Sequence, residues 1–520
     1  MAPESDRGSV SRREFIGSTA LGSAGLALGI SAYFTDGKKR GPDFIALSAR
    51  REQWVKMGFI GVGNRGSSLL RTALQVPNAV PVAVADVQPG KRKDQARNAR
   101  RQMRQTLQDE SFQVAAYSDY RRLLDDKEVE AVVIATPHYL HGPMAIDAIE
   151  AGKHVYCEKA MAFTIGENQD IYRLITGGRT TPEGDAIVFQ VGHQRHYSPL
   201  YRRVRQMIQP DEPGGDNIGD IAAIRAQWNL NDEIRRPAAD PRMEKVINWR
   251  LYSELSGGLT TEYATHQIDV ANWMYGTHLD SVCGYGGVDW YAADGRDTHD
   301  NIHLLFNYKV PVVSRDAYGR VKRDQVTQRA IYVRDDGTET PDKERARKRD
   351  VRFMYMCIME NEHRKFYEEI LGRYGSILVT LGGGEFFKEK KARSDPYRIA
   401  EGTNPAREKQ KDILSSGATV DPGSLAQARG DSIDGDVEDR RHWTHYIRPI
   451  SGAYDKVETL LAMESFAKCV RLSREGKDFS QELSADVEVG MWSAVAALMA
   501  NIAMREQRTV YWNEFFASGA

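Results

Sequence analysis

Val55-Lys56-Met57-Gly58-Phe59-Ile60-Gly61-Val62-Gly63-Asn64-Arg65-Gly66 decides the fold of this 520-residue chain. Val55 to Ile60 reads as a buried first strand, Gly61 to Gly66 as a G-x-G-x-x-G turn, and the residues from about Ser67 to Gln75 as a helix. The three glycines serve different ends. One allows a tight turn, one lets the backbone approach a pyrophosphate closely, and one lets helix pack tightly on strand. The helix N-terminus offers amide hydrogens and positive dipole charge to phosphates. The motif is short, so its neighbours have to support it.

A second apolar run, Val80 to Val87, carries Asp86 twenty residues beyond Gly66. A carboxylate there accepts hydrogen bonds from adenosine ribose hydroxyls and repels a 2′-phosphate, which favours NAD over NADP. Lys91 and Arg92 lie close by and weaken that preference. Val129 to Thr136 follows as a strand, 142–151 as a helix, and His154 to Cys157 as another strand. This alternation predicts an α/β fold with a doubly wound parallel sheet. Ligands bind such sheets at the carboxyl ends of strands, where Thr136-Pro137-His138 and Cys157-Glu158-Lys159 fall.

Outward from this unit, composition sets bounds. The formal net charge is −1 and the hydrophobic share 41%, so no nucleic-acid partner is expected. The basic run Lys91–Arg104 reads as a solvated helix face, interrupted by Asp94 and glutamines. Cys157, Cys283, Cys357 and Cys469 form no C-x-x-C pair and read as ordinary buried thiols. No H-E-x-x-H or related spacing occurs, so no metal site is expected. At the N-terminus, Ser11-Arg12-Arg13-Glu14-Phe15-Ile16 resembles the twin-arginine export signature, followed by a weakly apolar, glycine-containing stretch from Gly17 to Phe34. No clean A-x-A cleavage site follows, so an uncleaved anchor stands as the alternative to a removed signal. No other segment is expected to reach membrane-spanning length. The domain reading is a signal and linker at 1–50, a dinucleotide-binding domain at 51–191, and a second α/β domain at 192–520 with a long irregular insertion at 385–441.

The chemistry-bearing stretches are Ala135-Thr136-Pro137-His138 with His141, Gly152-Lys153-His154-Val155-Tyr156-Cys157-Glu158-Lys159, and Gly257-Gly258-Leu259-Thr260-Thr261-Glu262-Tyr263-Ala264-Thr265-His266. Together with Gly61, Gly63, Asn64, Arg65 and Gly66, they resemble the Gfo/Idh/MocA oxidoreductases, which include glucose–fructose oxidoreductase and inositol dehydrogenase. The family's Glu-Lys-Pro element reads Glu158-Lys159-Ala160 here, and Glu262 replaces its commoner aspartate. The resemblance implies that Thr136, Pro137, His141, Glu158 and Lys159 join the glycine loop and Asp86 at the cofactor, with Lys159 beside nicotinamide and substrate and a histidine, His266, as acid/base. It also implies a mostly antiparallel, open-faced second sheet whose free face commonly serves oligomerisation.

Physically, a part-buried lysine can donate to the reacting oxygen, and a histidine can take a hydroxyl proton near neutral pH. Helical spacing at i, i+4 and i+7 puts Glu262, His266 and Asp269 on one face, with Glu262 placed to orient the His266 ring. Arg195, Tyr197, Trp249 and Asp269 are expected to meet a polyhydroxylated substrate, with His193 a reserve acid/base and Trp249 a stacking surface. His299 and His303 read as structural.

The leading functional expectation is hydride transfer between NAD and a sugar or polyol hydroxyl carbon. An exported enzyme would hold its cofactor tightly and recycle it. Two alternatives stand: an NAD-dependent glycoside hydrolase or lyase acting through a transient keto-sugar, and a non-catalytic nucleotide-binding scaffold.

Overall fold

The computed structural model describes residues 51–388 (apart from 77, 213, 214, 318 and 382), 443–447 and 454–516. The expected signal at 1–50 and most of the expected insertion at 385–441 lie outside these residues.

The first sheet is parallel throughout. It is built from β1 (Val55–Ile60), β2 (Ala79–Ala85), β3 (Ala115–Tyr117), β4 (Ala131–Ile134), β5 (His154–Cys157) and β6 (Phe189–Val191), in the order β3-β2-β1-β4-β5-β6. β1, β2, β4 and β5 are buried almost residue for residue. That fits a parallel sheet covered on both faces. Helices α1 (Asn64–Ala73), α2 (Pro89–Leu107), α3 (Tyr120–Leu124), α4 (His141–Glu150) and α5 (Ile165–Thr176) make the crossovers. Strand order reverses between β1 and β4, so a crevice opens at their carboxyl ends.

The next helix, α6 (Pro199–Ile208), leads into a nine-stranded sheet. Its order is β16-β15-β14-β13-β7-β12-β9-β8-β17. Its strands are β7 (Ile221–Trp228), β8 (Leu279–Gly287), β9 (Asn301–Pro311), β12 (Lys348–Ile358), β13 (Phe366–Gly372), β14 (Gly375–Thr380), β15 (Gly383–Lys388), β16 (Trp443–Ile447) and β17 (Val510–Tyr511). All pairs are antiparallel except β7 with β12. A small hairpin, β10 (Tyr332–Val333) with β11 (Glu339–Thr340), sits on the excursion between β9 and β12. In β9, Ile302, Leu304, Phe306, Tyr308 and Val310 are buried while His303, Leu305 and Lys309 are exposed. One face is therefore core and the other open.

Helix α7 (Thr265–Tyr275) covers the inner face with α9 (Val487–Glu506), while α8 (Tyr454–Arg474) lies against α1 and β1. α9 touches α5, β6, α7 and β8, so it packs on both sheets. The expectation that nothing after the leader reaches membrane-spanning length is corrected here. Among the described residues α9 has that length and hydropathy, yet 67% of the stretch is buried in the protein.

The expectation of irregular chain from Glu385 is also corrected at its start, because Glu385–Lys388 complete β15 between β14 and β16. Phe386 is buried there, and the lysines that follow mask its apolar signal in the sequence. β12 is hard to read for a similar reason: Lys348, Asp350, Arg352 and Met354 point out between the buried Val351, Phe353, Tyr355 and Cys357.

Candidate active site

The glycine turn sits at the crevice. Gly61 has φ +80°, and a Cβ on Gly66 would stand 1.8 Å from the Gly61 carbonyl oxygen, so both positions demand glycine. A Cβ on Gly63 would meet nothing within 4 Å. That open space lies over the first amides of α1, which begins at Asn64, three residues earlier than expected because Gly63 serves as its N-cap. Asp86 follows β2. Its Oδ2 accepts from the Val62 amide (2.9 Å) and its Oδ1 from the Gln88 amide (2.8 Å), while Arg92 donates to its carbonyl oxygen (2.6 Å). The carboxylate is thus pinned against the loop, at the strand end where the sequence predicts ribose recognition. Thr136 Oγ1, past the end of β4, is buried without a hydrogen-bond partner. An open cradle of amides, an anchored carboxylate and an unsatisfied hydroxyl fit a dinucleotide.

Glu158 and Lys159 follow β5. Glu158 is buried and takes a 2.7 Å ion pair from Arg65 Nε, which ties the glycine loop to the end of β5. Close packing of Gly192 against this carboxylate leaves no room for a side chain there, since a Cβ would fall 2.8 Å from Glu158 Oε2. The Lys159–Ala160 peptide is cis.

Lys159 Nζ donates to the carbonyl oxygens of Thr261 (3.2 Å) and Glu262 (2.8 Å). These belong to a π-helical turn, Thr260–Ala264, that opens α7. Such a turn shifts backbone bonds to i→i+5 and frees carbonyls that a regular helix would use. Burial pulls the Lys159 pKa down, against the opposing pull of Glu262 and Glu158.

The π turn also redirects Glu262. The expected orienting contact to His266 is absent among the described residues; instead Arg250 Nε donates to Glu262 Oε2 at 2.7 Å. Burial works to raise the Glu262 pKa, but the charges of Arg250 and Lys159 outweigh it and hold the group at about 2. The i, i+4 spacing that joins Glu262 to His266 assumes an α-helix, and the wider turn breaks that assumption.

His266, one turn on, faces Trp228 (ring centroids 5.4 Å) and His193 (6.5 Å, edge on). Burial first, then the positive charges of Lys159 and Arg195, drives its pKa well below 6.5. Its ring is neutral and half-buried, and no hydrogen bond fixes its nitrogens among the described residues.

Behind it lies a buried polar cluster. Asp269 Oδ1 accepts from His196 Nε2 at 3.0 Å and Oδ2 stands 3.5 Å from His193 Nδ1, while His193 Nε2 meets Ser493 Oγ at 2.7 Å. His196 stacks on Trp273 at 4.2 Å. Burial opposes ionisation of Asp269, but the neighbouring histidines hold its pKa below the usual range. Asp269, expected at the substrate, therefore serves the interior: at 2% exposure it accepts from His196 and stands beside His193.

Three further expected contacts are seated elsewhere. Arg195 is buried, pairs with Glu368 of β13 at 3.0 Å and packs its guanidinium over Phe366 at 4.6 Å. Tyr197 is buried, and its hydroxyl accepts from the Ala485 amide at 3.2 Å. Trp249 is 9% exposed, with the Arg250 guanidinium 4.2 Å over its ring. These side chains carry large apolar bodies and pair internally, so tertiary packing draws them inward. His141, expected at the cofactor, braces the crevice from below: its ring nitrogens lie 2.8 Å from Ala160 O and 2.9 Å from Thr136 O. Burial lowers its pKa against the pull of those carbonyls. Pro137 caps the short turn His138–Leu140 beside it. Arg250 is a site residue that sequence reasoning misses; its only signal there is its place next to Trp249. Among the described residues no group of three or more His, Cys, Asp or Glu is arranged to hold a metal.

Residues 55–178 match the family described as "Oxidoreductase family, NAD-binding Rossmann fold", and residues 201–330 match the GFO/IDH/MocA C-terminal domain. The chain is similar to levoglucosan dehydrogenase of Pseudarthrobacter phenanthrenivorans, with 32% identity over 31% of this chain and 36% of that protein. It is also similar to a glycosyl hydrolase family 109 protein of Shewanella sp. strain MR-4, with 28% identity over 60% of this chain and 61% of that protein. The chain thus spans less than two thirds of either relative's length. A solved structure of levoglucosan dehydrogenase with NADH and levoglucosan shares the fold, at TM-score 0.54 and 19% identity over 88% of this chain and 99% of that one. With the glycine loop, Lys159 and His266 gathered at one crevice, the chain thus matches both the N-terminal and the C-terminal domain of the Gfo/Idh/MocA oxidoreductases, in order, over residues 55–178 and 201–330.

Proposed function

We propose that this protein is an NAD-dependent oxidoreductase that moves a hydride to or from a sugar or polyol hydroxyl carbon. The observation that carries the reading is the meeting of Lys159 and the His266 helix. Lys159 Nζ rests on the carbonyls of the π turn that opens α7, below the glycine loop tied in by Arg65 and Glu158. Gly61, Gly63, Asn64, Arg65, Gly66, Asp86 and Thr136 would hold the dinucleotide, which supplies the hydride acceptor when bound.

The neutral His266 imidazole is in the form that can remove a hydroxyl proton. Lys159 donates hydrogen bonds to the same oxygen, with burial easing its own proton release. Glu262 stays ionised and offsets the charge of Lys159, while Trp228 packs its ring against both His266 and Tyr263. Names of relatives support the substrate class: levoglucosan dehydrogenase and inositol dehydrogenases recur among them.

The twin-arginine signature supports export with tightly bound, recycled NAD, either released outside the inner membrane or tethered by an uncleaved signal. The exposed Tyr285, Leu305 and Met354 on the open face of the second sheet support a homo-oligomer. The domain partition proposed from the sequence, at 191 and 192, is retained as a proposal.

A second reading, an NAD-dependent glycoside hydrolase, is favoured by one observation: the match to the family 109 hydrolase runs over 60% of this chain, against 31% for levoglucosan dehydrogenase. The test takes full-length protein purified without nucleotide and follows absorbance near 340 nm on adding sugars and polyols, with product analysis. Bound NAD converted to NADH with an oxidised sugar supports the oxidoreductase. Free aglycone without net NADH selects the hydrolase, and no nucleotide bound or taken up overturns both.

A further inference from the structure

Glu262 is used from two directions. Its carboxylate accepts from Arg250, while its own main-chain carbonyl accepts from Lys159. One residue thus joins a guanidinium on a separate loop to the lysine at the end of β5. The loop that delivers Arg250 is braced at every step. Asn248 is buried, accepts the Arg236 amide at 2.8 Å and donates to the Arg236 carbonyl at 2.9 Å. Trp249 is buried beneath the guanidinium, and the Arg250 carbonyl accepts from Thr298 Oγ1 at 3.0 Å. Arg250 arrives pre-placed, its side chain 43% exposed and Glu262's only 14%.

We infer that Arg250 is a positioning residue: by gripping Glu262 it fixes the π turn, and through that turn it holds Lys159 in its working place and charge balance. This rests on the oxidoreductase reading above. Without the grip, the Glu262 carboxylate would face only Lys159 and the buried His138, and the π turn would lose its side-chain tie to Arg250. The groups facing Glu262 are Arg250, Lys159 and His138; those facing Lys159 are Glu262, Glu158, Arg250 and Arg65. His266 faces Lys159, Arg195, His193 and Arg65. Loss of Arg250 removes the larger of the two cationic influences that keep Glu262 ionised. Glu262 should then titrate higher, and an acid limb tied to it should move up in pH.

The experiment measures pH profiles of kcat and kcat/KM for wild type, Arg250→Met, Arg250→Lys, Glu262→Gln and the Arg250→Met/Glu262→Gln double variant. Arg250→Met should cut kcat about tenfold or more and move the acid limb up by about one pH unit, and Arg250→Lys should recover part of both. The double variant should be no slower than Glu262→Gln alone, because both changes break one contact. A kcat and acid limb unchanged in Arg250→Met, or a loss confined to KM, would overturn the inference.

An activity-free readout keeps it separate from the oxidoreductase reading. A carboxylate whose folded pKa is depressed stabilises the fold above its ordinary pKa near 4.5 and loses that contribution as pH falls toward 2. The urea-midpoint gap between wild type and Arg250→Met should therefore narrow from pH 6 to pH 3. A constant gap overturns the Arg250 role even if the enzyme proves inactive on every polyol, whereas inactivity with a narrowing gap overturns only the oxidoreductase reading.

Discussion

Alanine at Gly63 and alanine at Gly66 should fail in different ways, although the two positions are three residues apart on one turn. At Gly66 the new Cβ would lie 1.8 Å from the Gly61 carbonyl oxygen, and real Cβ atoms do not come within 3.0 Å. The turn and the helix must part by at least about 1.2 Å, with or without cofactor. A displacement of about 1 Å in a binding element is worth on the order of 100-fold. NADH affinity of Gly66→Ala should therefore fall about 100-fold, close to 2.7 kcal/mol, and the apo protein should also lose stability.

At Gly63 the backbone is extended (φ −69°) and the new Cβ would meet no protein atom within 4 Å. The apo protein should be as stable as wild type, or more stable by about 0.4–1 kcal/mol, because alanine narrows the unfolded ensemble. Its NADH affinity should still fall tenfold or more, since the methyl group occupies the space left for the pyrophosphate. Urea unfolding of the apo proteins and fluorescence titration with NADH give the two numbers for each variant. Wild-type NADH affinity in Gly63→Ala would refute the placement of the pyrophosphate over α1.

Other outcomes follow from the same geometry. Lys159→Met should lower kcat by about 10²- to 10⁴-fold, as for loss of an acid/base group, while leaving NADH binding intact; steady-state kinetics with NADH titration checks this. Because the His266 pKa lies well below 6.5, the ring stays competent as a base when pH falls through that value. The rate of polyol oxidation should stay flat across pH 6.5, and an acid limb at 6.5 that disappears in His266→Gln would contradict the assignment. Asp269→Asn should cost about 2 kcal/mol at pH 7, since it weakens the charge-assisted hydrogen bond to the buried His196 imidazole. The folded Asp269 pKa is depressed, so that loss should fade as pH drops below about 3.8, which urea unfolding at several pH values can follow. Asp86→Ala should loosen the turn at Val62 and narrow the NAD preference over NADP about tenfold or more, read from the two dissociation constants.

By itself the sequence determined what depends on local pattern. β1 and β5 fall where apolar runs put them, and the parallel sheet follows from strands spaced by crossover helices. The glycine turn, Asp86 at the end of β2 and Lys159 at the end of β5 are legible for the same reason. Each is set by residues within a few positions, and the sheet's topology carries them all to one crevice.

Tertiary structure decided the partners. Arg195, Tyr197, Trp249 and Asp269 are polar groups that could face either solvent or core. Glu368, the Ala485 amide, the Arg250 guanidinium and the two histidines, all but one of them distant in sequence, settled the choice. The π turn is likewise invisible to a periodicity that assumes 3.6 residues per turn, and with it the transfer of Glu262 from His266 to Arg250. The strands β12 and β13 stay hidden in the sequence because one face of an open sheet tolerates charge. Their identity comes from register with β7 and β9, which no local window contains.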